Sequence, residues 1–414
     1  MCGTCTSLPV MTWGLEPGHG PGPLAGGPVQ GAGPGGDLVG GAVAVRPSGR
    51  RALRRWVFAA FIVIGFALAA LVLVAYYGAT LGVVTSLLGV LLAAIPLGIV
   101  IPTFLWLDRF EAEPTRYLLV AFAWGALVAA LVAGIFNTGA NIAFQAATGG
   151  SQAAMLATAV FSAPLVEEAC KGLLVLLIWW FRRREFDGII DGMVYAGIVA
   201  AGFAFTENIQ YLGMAYADGG DQALTGTFIA RCLFTPFAHP MFTVLTGIGI
   251  GIAATTRSRV LKVLAPVAGY LLAALSHAIW NLAAVTGGAG LVTVYLLVEV
   301  PIFLAFVVFV VWARRREGRL IGRYLSVYAD AGWLSPSEVQ MLSTMKGRRA
   351  ARMWARSAGR RSLAAMRSFQ DTASELALLR ARMHHSAADS QALQSERDML
   401  ATLTVRRQEL LGAY

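Results

Sequence analysis

Residues 83–107 read VVTSLLGVLLAAIPLGIVIPTFLWL, with no ionisable side chain anywhere in the run. About 20 apolar residues are enough to carry a helix across the hydrocarbon of a bilayer. Lipid offers no partner to backbone N–H and C=O groups, so a run this long and apolar is predicted to be a helix. The pattern recurs on both sides of it. Comparable runs cover Trp56–Tyr77, Tyr117–Gln145, Met155–Phe181, Gly188–Met214, Phe228–Ala254, Val260–Val285 and Leu291–Trp312. The expected fold is therefore all-α, a polytopic membrane bundle of about eight transmembrane helices. Composition agrees: of 414 residues, 57% are hydrophobic and 14% charged, against roughly 25% charged in a soluble domain. That excludes a soluble globular protein and a chain disordered throughout. Four scattered cysteines, Cys2, Cys5, Cys170 and Cys232, exclude a secreted disulfide scaffold.

Where the charge falls matters more than its net value of +10. Arg50, Arg51, Arg54 and Arg55 precede the first run. Basic clusters return at Arg182–Arg184, at Arg257, Arg259 and Lys262, and at Arg314–Arg316. The loops between them (78–81, 149–152, 218–222 and 286–290) hold no Lys or Arg. By the positive-inside rule both termini are expected in the cytoplasm of a multi-pass cell-membrane protein. Three regions follow. Residues 1–50 are a Gly/Pro-rich head expected to be disordered, whose Cys2-Gly3-Thr4-Cys5 supplies only two of the four ligands of a zinc site. Residues 51–313 form the membrane domain. Residues 314–414 form a basic helical tail, 18 Lys+Arg against 9 Asp+Glu, read as a solvated element that reinforces topology. Within it Ser335-Pro336-Ser337-Glu338 is a capping-box helix start. No nucleic-acid motif accompanies the positive charge, and no nucleic-acid partner is expected.

Ionisable groups are costly inside a membrane, from about 2.5 kcal/mol upward, and mark function by default. Here they concentrate in four consecutive runs. The fourth run holds Glu167, Glu168 and Lys171; the fifth holds Asp191, Glu207 and Asn208. Arg231, His239 and Thr243 lie in the sixth, His277 and Asn281 in the seventh. Residues four apart share a helix face, which stacks Glu167 over Lys171, His239 over Thr243, and His277 over Asn281. At 1.5 Å rise per residue, Glu167 and His239 lie about 18 Å, and Glu207 and His277 about 10–15 Å, from the outer ends of their runs. The four therefore fall in one layer of the outer half. Ordinary helix glue by hydrogen bonds and ion pairs is the competing reading, and it is preferred for Arg231 and Asp191 near run ends. Cys170, flanked by Val166 and Leu174, reads as core packing. Pro164, Pro236 and Pro240 either open space beside the acidic and His positions or kink their helices.

The ordered motifs EExxK at Glu167–Lys171, FxxxE at Phe203–Glu207, HxxxT at His239–Thr243 and HxxxN at His277–Asn281 resemble the PrsW family of intramembrane proteases. That family sits within the broader group of CAAX prenyl proteases and their bacterial relatives. Asp191–Tyr195 also resembles the family's lead-in to the fifth span. The resemblance covers roughly Pro164–Asn281 and leaves head and tail untouched. It implies hydrolysis of a peptide bond in a membrane-anchored protein, in the best-known members a single-span anti-sigma factor cut on the outer side to start a signalling cascade.

Hydrolysis needs an activated water, an oxyanion stabiliser and a proton for the leaving amine. Two schemes use the same residues. In one, His239, His277 and a carboxylate, Glu207 or Glu168, hold Zn2+, and Glu167 is the general base. In the other no metal is needed: Glu167 or Glu168 activates water with a His, while His277 and Asn281 donate to the oxyanion. Lys171, Glu207, Asn208 and Thr243 support either. Two rivals predict other things: an ion or metal transporter strings its ionisable groups along a path through the bilayer, and a non-catalytic scaffold keeps the fold without cutting. Substrate, cut site, regulatory signal and oligomeric state are not readable from the chain.

Overall fold

A computed structural model describes residues 49–110, 113–182, 186, 188–385 and 390–412. The head, with Cys2 and Cys5, and the basic pair Arg183–Arg184 lie outside the described residues, which contain helices and no strand. In the membrane domain the helices are α1 (Gly49–Thr80), α2 (Val83–Ala94), α3 (Leu97–Leu107), α4 (Thr115–Ala123), α5 (Ala130–Thr148), α6 (Ser151–Ala157), α7 (Ala163–Phe181), α8 (Ile189–Phe228), α9 (Ala238–Thr255), α10 (Arg259–Thr286), α11 (Gly288–Val294) and α12 (Val300–Asp330). Short π-helical turns, Trp124–Ala129, Thr158–Ser162, Ile229–Phe234 and Tyr295–Glu299, join several of them. α12 runs on into a C-terminal bundle with α13 (Pro336–Leu342), α14 (Met345–Ser357), α15 (Arg360–His385) and α16 (Ser390–Leu411).

Among the described residues, six helical runs are long and apolar enough to cross a bilayer, where the sequence predicts about eight. Two features account for the difference. Ile189–Thr255 is one run of 67 residues that contains two of the expected crossings. It breaks at Gly219 and Gly220, the latter at φ 60°, a left-handed conformation that glycine adopts without steric cost. Because α9 packs along α8, the chain reverses between them. α7 is left out of a count by apolarity because Glu167, Glu168 and Lys171 lie inside it.

The bundle turns apolar side chains outward and buries polar ones. On α10, Leu271, Leu272, Leu275 and Leu282 are exposed while Ala273, Ala274 and His277 are buried. That arrangement is expected when the surrounding solvent is hydrocarbon. α8 is the axis, with α9, α2, α3, α4 and the turn Trp124–Ala129 packed around it. α7 contacts α5, α8, α9 and α10, and α9 packs against both α8 and α10, so the four motif-bearing helices gather around α7 and α9. Small residues let them approach, as is usual where helix association rests on close packing. A Cβ on Gly192 would sit 2.1 Å from the Gly247 carbonyl oxygen, and a Cβ on Gly247 would meet the Gly192 carbonyl at the same 2.1 Å. Gly192→Leu is therefore expected to separate α8 from α9 and destabilise the protein by about 1–3 kcal/mol or more. Gly134→Leu, where a Cβ meets nothing within 4 Å, serves as the near-neutral control in a thermal melt of the detergent-solubilised protein.

The C-terminal region differs from the expected solvated tail. Phe369, Ala373, Leu376 and Ala377 on α15 recur every three or four residues and are buried with Leu325, Leu342 and Leu403 in a second core. Basic residues interleaved with that period hide it from composition alone. The capping box forms as read: Glu338 N–H donates to Ser335 Oγ at 3.2 Å and Ser335 N–H to Glu338 Oε2 at 2.7 Å. Fully buried Arg348 ties this bundle to the membrane domain. Its Nη1 donates to the Phe110 carbonyl at 3.0 Å and to Ser374 Oγ at 2.7 Å. Beside Phe110, Asp108 accepts the Glu113 N–H at 2.6 Å, and burial pushes its carboxyl up to about 9, so it is protonated at neutral pH.

Candidate active site

The site is built outward from α7. Glu167, Glu168 and Lys171 lie on its inner face and are all buried. Lys171 Nζ lies 2.8 Å from Glu168 Oε1 and 3.6 Å from Glu167 Oε2. It also meets His239 Nδ1 at 3.1 Å and sits 3.9 Å over the Phe203 ring. An ammonium can only donate, so His239 Nδ1 accepts. Nε2 of that ring then carries the hydrogen and donates to Glu207 Oε2, 2.6 Å away. His277 is oriented the opposite way. Its Nδ1 donates to Glu168 Oε1 at 3.1 Å, and its ring stacks on Phe242 with centroids 5.3 Å apart. With Nδ1 carrying that hydrogen, the neutral form of the ring presents its Nε2 lone pair to Glu167 Oε2 across 3.8 Å. Thr243 Oγ1 donates to Glu168 Oε2 at 2.8 Å, completing the partners of that carboxylate.

Glu167 is held differently from Glu168. Asn137 on α5 donates from Nδ2 to its Oε1 at 3.2 Å. Its Oε2 is buried with no hydrogen-bond partner among the described residues. One ligand atom each from Glu167, His239 and His277 lies within 4.8 Å of the others, and all three residues are buried. Here the donor set differs from the predicted one. Glu207 does not join this group; it pairs with His239 and with Arg231 instead. Arg231 is thus part of the network, where the sequence reading preferred a structural residue near a run end. Its Nε donates to Asn208 Oδ1 at 2.9 Å, and its guanidinium lies 3.9 Å over the Tyr211 ring.

Other predicted positions fall elsewhere. Asn281 Nδ2 donates to the Ala159 carbonyl at 2.9 Å, so its amide is occupied in pinning α10 to the π turn Thr158–Ser162. Asp191 accepts the Gly188 N–H at 2.9 Å as part of the α8 start. Pro240 sits in the first turn of α9, where no intrahelical donor is lost; Pro164 follows the π turn Thr158–Ser162 inside an unbroken helical stretch, where its missing N–H leaves an upstream carbonyl without that donor. Two residues escaped the sequence reading. Asn137 did so because a lone Asn in an apolar run carries no charge to flag it. Glu299 lies in the last run, beyond the four that were scanned, and is buried on a π turn with Oε1 unpartnered among the described residues.

Buried carboxyl and imidazole groups drawn from four membrane helices, with a carboxyl oxygen that lacks a hydrogen bond facing an imidazole nitrogen, define a membrane-embedded protein whose polar cluster could support acid–base or metal chemistry. Comparison narrows the class. Residues 113–312 match the family described as PrsW family intramembrane metalloprotease. Similar proteins include "Protease PrsW" of Geobacillus kaustophilus, 35% identical over 160 residues, which cover 38% of this chain and 64% of that protein. "Protease PrsW" of Oceanobacillus iheyensis is 28% identical over 198 residues, covering 47% of this chain and 82% of that one. The protein of the same name from Clostridioides difficile is 31% identical over 160 residues, 38% and 62% of the two chains. The chain thus spans just under two thirds of the first relative's length. No solved structure matches it. Residues 113–312 of this chain are thus similar to the PrsW family.

Proposed function

We propose that the protein is an intramembrane endopeptidase that hydrolyses a peptide bond in a membrane-anchored protein, with Glu167 as the group that activates water. The observation that carries this reading is Glu167 Oε2: buried, without a hydrogen bond, and 3.8 Å from the lone-pair-bearing Nε2 of His277. Two facing acceptors in a low-dielectric site repel each other unless a donor or a cation sits between them. A water molecule satisfies both, and so does a divalent ion. The clustering of these groups at one point also favours a hydrolase over a transporter, which needs them spread along a path.

The residues fit a metal. Glu167 and His277, with His239 once its Nδ1 gives up the Lys171 ammonium, would offer an N₂O donor set of the kind zinc takes in catalytic sites. Glu168 bonded to His277 Nδ1 is the outer carboxylate that holds a ligand imidazole in its tautomer. Three carboxyl groups, of Glu167, Glu168 and Glu207, stand beside two basic side chains, Lys171 and Arg231, so a cation would find acidic partners here. We assign Zn2+ to this set; when bound it supplies a Lewis acid that polarises the scissile carbonyl and acidifies water. The chain's own residues do the rest. Oε1 of Glu167 is committed to Asn137, so Oε2 is the atom available: a ligand where the ion is bound, or, without an ion, the base that takes the proton of the attacking water and returns it to the leaving amine. Glu168 keeps His277 Nε2 pointed at the same spot. Lys171 stays charged between the two carboxylates and holds His239 on the opposite wall.

In this reading both termini are cytoplasmic, the pocket lies in the outer half of the membrane, and a single-span protein such as an anti-sigma factor is the substrate class. The test is cleavage of a single-span reporter by the purified protein in proteoliposomes. Chelation is expected to abolish cutting and added zinc to restore it. Cutting that survives chelation but is lost in Glu167→Gln removes the metal and keeps the protease. Cutting equal in wild type and Glu167→Gln removes both.

A further inference from the structure

α5 lies against α7 and carries a short polar ladder that no motif of the chain includes. Asn141 Nδ2 donates to Thr158 Oγ1 at 3.4 Å, and one turn earlier Ser162 Oγ donates to Asn137 Oδ1 at 3.2 Å. Asn137 Nδ2 in turn donates to Glu167 Oε1 at 3.2 Å. An amide can turn over, exchanging its oxygen and nitrogen. Glu167 Oε1 accepts, so the amide presents its nitrogen there and leaves its oxygen to take the Ser162 hydroxyl. Thr158 and Ser162 are the first and last residues of a π turn, a distortion that recurs at functional sites. The same turn offers its Ala159 carbonyl to Asn281, one helical turn beyond His277 on α10. One irregular turn therefore meets both the helix of Glu167 and the helix of His277.

We infer that Ser162 and Asn137 form a positioning relay that takes up Oε1 of Glu167 and so turns Oε2 towards His277. The inference rests on the hydrolase reading and deepens it. Neither residue touches the reacting atoms. A carboxylate swings about its last torsion between broad, nearly equivalent orientations, and α7 itself supplies no hydrogen bond to Glu167 Oε1. Without the Asn137 amide, Glu167 is free to rotate Oε2 out of line with the imidazole. The consequence is a loss of alignment rather than of substrate affinity, since misplacement by about 1 Å costs on the order of 10²-fold in rate.

The experiment measures kcat and KM for a single-span reporter in proteoliposomes. It compares wild type, Asn137→Leu, Ser162→Ala and the double variant, with a thermal melt of each. Asn137→Leu is expected to lower kcat about 10–100-fold, with KM within about twofold of wild type. Ser162→Ala is expected to give a smaller fall of the same kind. The double variant is expected to match Asn137→Leu alone, because the hydroxyl acts through the amide. If Asn137→Leu fails to fold, Ser162→Ala decides by the same kcat criterion. Unchanged kcat, a loss carried by KM, or additive effects in the double variant overturn the relay while leaving the protease reading in place. A wild-type protein that cuts nothing overturns both.

Discussion

Glu167→Gln is expected to lower cleavage of a membrane-anchored reporter by about 10²–10⁴-fold, the range general acid–base groups contribute, while the protein stays folded. Glutamine keeps the side chain's shape and its carbonyl oxygen. That oxygen can still accept the Asn137 N–H that now goes to Oε1. The substitution places an NH₂, which cannot accept a proton, opposite His277. It also removes one of two carboxylates beside Lys171, leaving the ammonium its 2.8 Å bond to Glu168. Size-exclusion behaviour and melting temperature close to wild type, with activity lost, are the expected pair of results. A variant that is inactive only because it no longer folds contradicts the assignment of Glu167 as a chemical rather than a structural group.

Lys171→Met has the largest expected effect on stability. Lys171 is fully buried, and the carboxylates of Glu167 and Glu168 are both within its reach. Deleting one partner of a buried ion pair strands the other charge and costs about 3–5 kcal/mol, more than the intact pair contributes against an apolar replacement. The thermal melt should fall accordingly. Because the cost arises from stranded charge, Lys171→Met combined with Glu168→Gln should be more stable than Lys171→Met alone. If the second change brings no recovery, the triad is not held together by charge in the way the distances imply.

Most of the membrane fold could be read from runs such as Val83–Leu107, because hydrocarbon permits only one backbone solution for them. The site was readable for the same reason: a Glu, Lys or His inside such a run must be compensated, and four runs carrying them in order had to face one another. Glu167, Glu168, Lys171, Glu207, His239, Thr243 and His277 do converge. Which carboxyl group lies beside the His pair was not readable. It depends on Arg231, whose guanidinium reaches Glu207 from a π turn. A π turn shifts the face a residue presents, and its presence has no periodic signature in sequence. Asn281 donates instead to the Ala159 carbonyl of another π turn, five residues before Pro164, which has no N–H to offer it. In the C-terminal bundle, the buried guanidinium of Arg348 bonds to a carbonyl 238 positions away, a partner that no local pattern foreshadows.

The central claim is that water, activated at Glu167, breaks a peptide bond inside the bundle. Its most direct test is the mass of the fragments cut from a single-span reporter in H₂¹⁸O by the reconstituted wild-type protein. The account requires one heavy oxygen in the new carboxyl terminus, a cut within the reporter's membrane-proximal region, and no fragments from Glu167→Gln. Folded wild-type protein that releases no fragments, or fragments released equally by Glu167→Gln, would contradict it.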